Sequence, residues 1–191
     1  MLILGVDTTR DRLVAVLTDG NKTFQKVSSE GNKKHTAQLL PVVDELLTES
    51  GYSLDDVTAF SAVTGPGSFT GIRVGVSTIN ALSYAKGKPV IDVTSFELVA
   101  YDKGEGVVLI DAMHGNYYGA FVKDGIVQKT QYFECGDEIK GARFFRDEND
   151  DYVLAFSSVL IKKAENNDFK ESLRPLYLRE SQAEREAKKN V

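Results

Sequence analysis

Between Val57 and Lys86 the chain reads VTAFSAVTGPGSFTGIRVGVSTINALSYAK, and this segment restricts the possible folds more than any other. Its first eight residues are an apolar, β-branched run of strand length that feeds directly into a loop holding Gly65, Pro66 and Gly67. Ile72, Val76, Ile79 and Leu82 then recur at helical spacing, which predicts a helix from about Phe69 to Ala85. Pro66 and Gly67 set a tight turn at the strand end, and Ser68 is placed to cap the first free N–H groups of the helix. Gly71 and Gly75 stand four apart on one helical face. Each glycine costs a helix about 1 kcal/mol relative to alanine, so the pair requires a packing reason. A neighbouring helix in close approach supplies one. The apolar and the small-residue stripes lie on different faces, so one is expected to meet the sheet and the other a partner.

A glycine-rich loop after a strand also raises the question of phosphate binding. A P-loop places glycine, lysine and a hydroxyl residue after four intervening positions, so that N–H groups and an ammonium surround the phosphates. Here the position five after Gly65 is Thr70, and the position five after Gly67 is Ile72. No lysine occurs between Lys34 and Lys86, and Arg73 is the cation nearby. The dinucleotide pattern fails as well, because Thr70 stands where its third glycine belongs. The loop is read as a turn into a contact helix.

The other segments extend an α/β reading. LILGVD and RLVAVLTD, followed by an Asp19-Gly20 turn and TFQKVSS, predict a three-stranded antiparallel meander. HTAQLLPVVDELLTESG predicts a helix with Leu39, Leu40, Val43, Leu46 and Leu47 on one broad stripe and Gly51 at its end. Pro41 either kinks this helix or marks its first turn. GKPVIDV predicts a fifth strand, and SFELVAYD a short helix capped by Ser95. From Gly106 the opening logic repeats: VVLIDA, then YYGAFVKDGIV with its own Asp-Gly turn, then QKTQYFE, and later a strand at YVLAFSSVL. Two lobes are expected, 1–103 and a smaller 104–191, with a charged, helix-prone tail at SQAEREAKKNV.

Composition sets the class. At 191 residues the chain is long enough for a proper core, and 42% hydrophobic with 27% charged residues is ordinary for a globular protein. A net charge of −5, spread evenly, gives neither half a field that would grip nucleic acid by itself. The single Cys135 fits a reducing compartment. With a strand beginning at Leu2 and no run of 18 apolar residues, neither a signal peptide nor a membrane span is expected, and a cytoplasmic location follows as the expectation. Only His35 and His114 occur, in unrelated segments, so no metal site of the His/Cys type and no Ser-His-Asp or Cys-His arrangement is assembled from the sequence.

These landmarks resemble one family. GPGSFTGIR with its small-residue helix, ILGVDTT, HTAQLLPVVDELL, LIDAMHGNYYGAF and LRPLYLR are similar, in order, to the motifs of TsaB (YeaZ) proteins. The resemblance implies an actin-like (ASKHA, ribonuclease H-like) fold of duplicated αβ lobes, the second abbreviated here. It also implies a non-catalytic, dimerising subunit without catalytic residues, cofactor or metal of its own. Such a subunit acts with a catalytic paralogue, TsaD, and an ATPase, TsaE, in threonylcarbamoyl transfer to the adenosine 3′ of the anticodon in ANN-decoding tRNAs. Contact with tRNA comes through the complex, and the isolated chain is expected to form a homodimer. The helices at about His35–Ser50 and Phe69–Ala85 would form the partner face, with Leu39, Val43, Leu47, Gly71, Gly75 and Ile79 as its residues. The paralogue's His-x-x-x-His pair is missing, since Leu39 stands four after His35. Asp7 and its second-lobe counterpart Asp111 match positions near metal-bound phosphate in kinases of this fold. They keep open a stand-alone ATPase or small-molecule kinase as the alternative, although the glycine-rich adenosine loop is not found. The superfamily's glycoprotease label lacks a residue set in this sequence.

Overall fold

The computed structural model describes residues 1–31, 34–145 and 151–178. β1 (Ile3–Asp7), β2 (Arg12–Thr18) and β3 (Thr23–Gly31) form the expected antiparallel meander. Asp19 shapes the β2–β3 turn by accepting the N–H groups of Lys22 and Asn21 at 2.8 and 2.7 Å, and these bonds hold its carboxyl below the usual carboxylate range. β4 (Ala59–Val63) and β5 (Val90–Val93) continue the sheet parallel to β1, in the order β3-β2-β1-β4-β5.

α1 (His35–Ser50) and α2 (Phe69–Lys86) cover one face of this sheet. Pro41 lies well inside α1 on its exposed side, so it does not mark the first turn. Lys26 of β3 reaches Glu49 and Glu45 of α1 at 2.5 and 3.1 Å, and the two carboxylates raise its pKa. α2 begins as expected, with the Ser68 hydroxyl accepting the Gly71 N–H at 3.2 Å.

α3 (Ser95–Ala100) is capped one residue earlier than expected. Thr94, and not Ser95, exchanges hydrogen bonds with Glu97 in a capping box. The second sheet follows: β6 (Gly106–Asp111), β7 (Tyr117–Lys123), β8 (Ile126–Phe133) and β9 (Arg143–Phe145), in the order β8-β7-β6-β9. β6, β7 and β8 are antiparallel and β9 runs parallel to β6. This is the plan of the first sheet with one strand fewer, the abbreviated repeat that the sequence suggested.

YVLAFSSVL is not a strand. It opens α4 (Tyr152–Glu165), whose N-cap Asp151 accepts the Leu154 N–H at 3.3 Å. Phe156, Leu160 and Ala164 recur at four-residue spacing and bury themselves against Ile3, Val16 and Ile91 on the open face of the first sheet. An uncovered apolar sheet face outweighs the β-branched composition that favoured a strand. Gly5 makes the approach possible, since a Cβ there would stand 2.9 Å from both Phe156 and Leu160.

The boundary expected near residue 103 separates the two sheets, yet the helices cross it. α3 packs through Phe96, Val99 and Ala100 on Val108, Ile110 and Ala120 of the second sheet, while α4 returns to the first. Lys163 of α4 joins the two helices, with its ammonium 2.7 Å from Glu97 and 2.5 Å from the Asp92 carbonyl. The following segment runs as a strap. Lys170 bridges to Val90, Leu173 is buried under α2 where Asn80 exchanges two hydrogen bonds with its backbone, and the Leu176 N–H reaches the Thr64 carbonyl at 2.9 Å. The tail expected to be helix-prone, 181–191, lies outside the described residues.

Candidate functional site

Thr8 and Thr9, in the turn after β1, hold the beginnings of both helices. The Thr8 hydroxyl donates to the Gly71 carbonyl at 2.6 Å, and the Thr9 carbonyl accepts the Ser68 N–H at 3.0 Å. His35, at the start of α1, is buried with Nδ1 3.1 Å from the Thr8 carbonyl oxygen and Nε2 3.1 Å from that of Asp11. A Cβ on Gly71 would stand 1.8 Å from the Thr8 carbonyl oxygen, and one on Gly75 would stand 2.4 Å from Thr8 Oγ1. The two glycines therefore serve a close approach within the chain.

That geometry corrects the expected partner residues. Leu39, Val43, Leu47 and Ile79 point into the core beside Leu4, Phe60 and Ala62, and Gly71 and Gly75 lie on Thr8. The strongest apolar stripe goes to the sheet because that is where burial removes most area from water. None of the six faces outward. The outward surface of the pair instead carries Ala37, Leu40, Pro41 and Asp44 from α1, and Arg73, Ser77, Ala81 and Tyr84 from α2. Leu40 is 55% exposed and Tyr84 92% exposed. For α2 these four residues follow one another at three- and four-residue steps, a second stripe opposite the buried one.

A cleft of about 840 Å³ separates the lobes, lined by Thr9–Arg12, by Gly67–Phe69, by the end of β6 and by Tyr118 and Tyr152. Asp7 and Asp111 end the equivalent central strands, and both do the same local work. Each Oδ1 accepts the N–H two residues on, Thr9 at 2.7 Å and Met113 at 2.8 Å, closing an Asx turn. Asp111 is exposed at the cleft. Asp7 is fully buried, and its Oδ2 accepts a hydrogen bond from the Tyr152 hydroxyl. The Arg10 guanidinium lies 4.2 Å from the centre of the Tyr152 ring, so this aromatic side chain stands between Asp7 and the cleft. Tyr152→Phe keeps the ring and removes one donor from a buried carboxylate. It is expected to cost about 1–3 kcal/mol, read as a lower melting temperature by circular dichroism.

His114 and Cys135 are exposed near the β6–β7 turn. Among the described residues, no group of three or more His, Cys, Asp or Glu is arranged to hold a metal ion, and no helix is long and apolar enough to cross a membrane. Sequence reasoning missed the roles of Thr8 and Tyr152. The paired glycines signalled a close approach, but the group that approaches lies 63 positions away in the chain.

Comparisons with known proteins bear on this arrangement. Residues 26–146 match the model of a family described as TsaD, tRNA N6-adenosine threonylcarbamoyltransferase. A tRNA threonylcarbamoyladenosine biosynthesis protein TsaB from Haemophilus influenzae is 34% identical over 134 residues, covering 66% of this chain and 56% of that protein. The protein of the same name from Escherichia coli is 37% identical over 129 residues, covering 63% and 54%. The matched region thus spans just over half the length of these curated relatives. The solved structure of YeaZ from Pseudomonas aeruginosa superposes with a TM-score of 0.73 at 18% identity, covering 93% of this chain and 99% of that one. The fold is that structure's actin-like pair of αβ lobes.

Proposed function

The chain belongs to the TsaB (YeaZ) family, and from that premise we propose that it is a non-catalytic assembly subunit in tRNA threonylcarbamoyladenosine biosynthesis. Its partner is a TsaD-like catalytic paralogue, served by a TsaE-like ATPase, and tRNA is engaged by the complex in the cytoplasm. Alone, the chain pairs with a second copy. The observation that carries this reading is the outward face of α1 and α2. There Leu40 and Tyr84 remain in water although every other requirement of the fold is met by the opposite faces of the same helices. Exposed large apolar groups beside small residues suit a helix-on-helix contact.

The cleft supports a scaffold over an ATPase or kinase. A group that positions a metal-bound phosphate must present its carboxylate to the ligand, whereas Asp7 spends both oxygens inside the chain. The test is reconstitution with the TsaD-like and TsaE-like proteins of the same genome, tRNA, ATP, threonine and bicarbonate, together with the enzyme that makes the threonylcarbamoyl adenylate. The expected result is an inert chain when alone and modified tRNA only when all components are present. Modification that proceeds equally well without this chain would refute the assignment.

A further inference from the structure

Arg73 is exposed on α2, and among the described residues no carboxylate lies within ion-pair distance of it. Other cations on the same side are matched: Lys26 to Glu45 and Glu49, and Lys86 to Asp55. Arg73 is nevertheless held in place. Its guanidinium lies 4.0 Å from the centre of the Phe69 ring and 6.0 Å from that of Tyr177, and its Nε donates to the Tyr177 hydroxyl at 3.0 Å. The two rings are 5.1 Å apart. Tyr177 is fixed in turn by the strap, through the Leu176–Thr64 and Leu173–Asn80 hydrogen bonds.

An arginine stacked and anchored through Nε has already lost much of its rotamer freedom, and the donors it still has to offer are its terminal N–H groups. Those groups match the two oxygens of a carboxylate. We propose that Phe69, Arg73 and Tyr177 are a preassembled anchor that receives a carboxylate side chain of the partner protein. The proposal rests on the reading of the outward α1/α2 face as the partner surface, with which the anchor is continuous, one turn before Ser77 on the same stripe.

A protein carboxylate suits the site better than a nucleic-acid phosphate. Backbone-binding surfaces collect several cations, whereas α2 offers only Arg73 and the already matched Lys86. Phe69 and Tyr177 flank the charge with half-exposed rings, and aromatic residues with arginine dominate the energetic centres of protein interfaces.

The test measures the Kd for the TsaD-like paralogue by calorimetry, for the unaltered chain, Arg73→Lys and Ala81→Arg, with melting temperatures as a check on folding. Arg73→Lys keeps the charge but loses the planar fork and the stack, so affinity is expected to fall about tenfold or more without loss of stability. Ala81→Arg tests the face itself. If it abolishes binding while Arg73→Lys stays within about twofold of the unaltered chain, the anchor is overturned and the partner face stands. If neither substitution changes Kd, both readings fail. If Arg73→Lys keeps the paralogue's affinity but weakens tRNA retention by the assembled complex, the anion is a phosphate and the proposal is wrong.

Discussion

Gly71→Ala is expected to be the most damaging single-methyl change in this chain. The added Cβ would lie 1.8 Å from the Thr8 carbonyl oxygen, a backbone atom that cannot swing aside. Either α2 lifts from the β1–β2 turn or the turn itself moves, and both outcomes break the Thr8–Gly71 and Thr9–Ser68 hydrogen bonds. Alanine contributes about 1 kcal/mol of helix propensity in return, which is too little to decide the sign. Overpacking against fixed backbone together with two lost hydrogen bonds is expected to cost a net 3 kcal/mol or more, in round terms. For a chain of this size that is roughly 6–12 °C in melting temperature. Gly75→Ala meets a side-chain oxygen at 2.4 Å and should cost less, because Thr8 can rotate at the loss of its bond to Gly71. A thermal melt separates the cases. A Gly71→Ala protein that melts within about 2 °C of the unaltered chain would mean that α2 does not sit on Thr8, and the division of its faces would be lost with it.

The opposite face should behave in the opposite way. Ala81→Arg is expected to leave the melting temperature unchanged, since Ala81 is exposed and in the last turns of α2. Association with the TsaD-like partner should nevertheless collapse. A long charged side chain in the centre of a helix-on-helix contact must be either desolvated without a partner or accommodated by pushing the helices apart. About 3 kcal/mol or more is a reasonable expectation, above a hundredfold in Kd. Together the two substitutions divide α2 cleanly: one face holds the fold and the other holds the partner.

Much of this architecture is legible in the sequence, because its signals are local. Alternating runs and Asp-Gly turns give the meander, the spacing of Ile72, Val76 and Ile79 gives α2, and Ser68 gives its cap. The repeat of strand, turn and strand after Gly106 announces the second sheet. What escapes the sequence depends on distant groups. YVLAFSSVL carries strand-like residues, and only the apolar face of the first sheet, supplied by Ile3, Val16 and Ile91, makes it a helix. Asp151 before it and the spacing of Phe156, Leu160 and Ala164 were the available signals. Gly71 and Gly75 looked like a partner's groove because Thr8, far off in the chain, is invisible to helical periodicity. The same burial moved Leu39, Val43, Leu47 and Ile79 from the expected partner face to the core. The partner surface is therefore read from the residues that periodicity leaves over: Leu40, Arg73, Ser77, Ala81 and Tyr84.

The most direct measurement is size-exclusion chromatography with light scattering on the chain alone, on its mixture with the TsaD-like paralogue, and on the same mixture made with Ala81→Arg. The scaffold account expects a dimer of this 21.0 kDa chain that exchanges into a 1:1 heterodimer, and no such complex with Ala81→Arg. A monomer whose elution and mass are unaffected by the paralogue would contradict it.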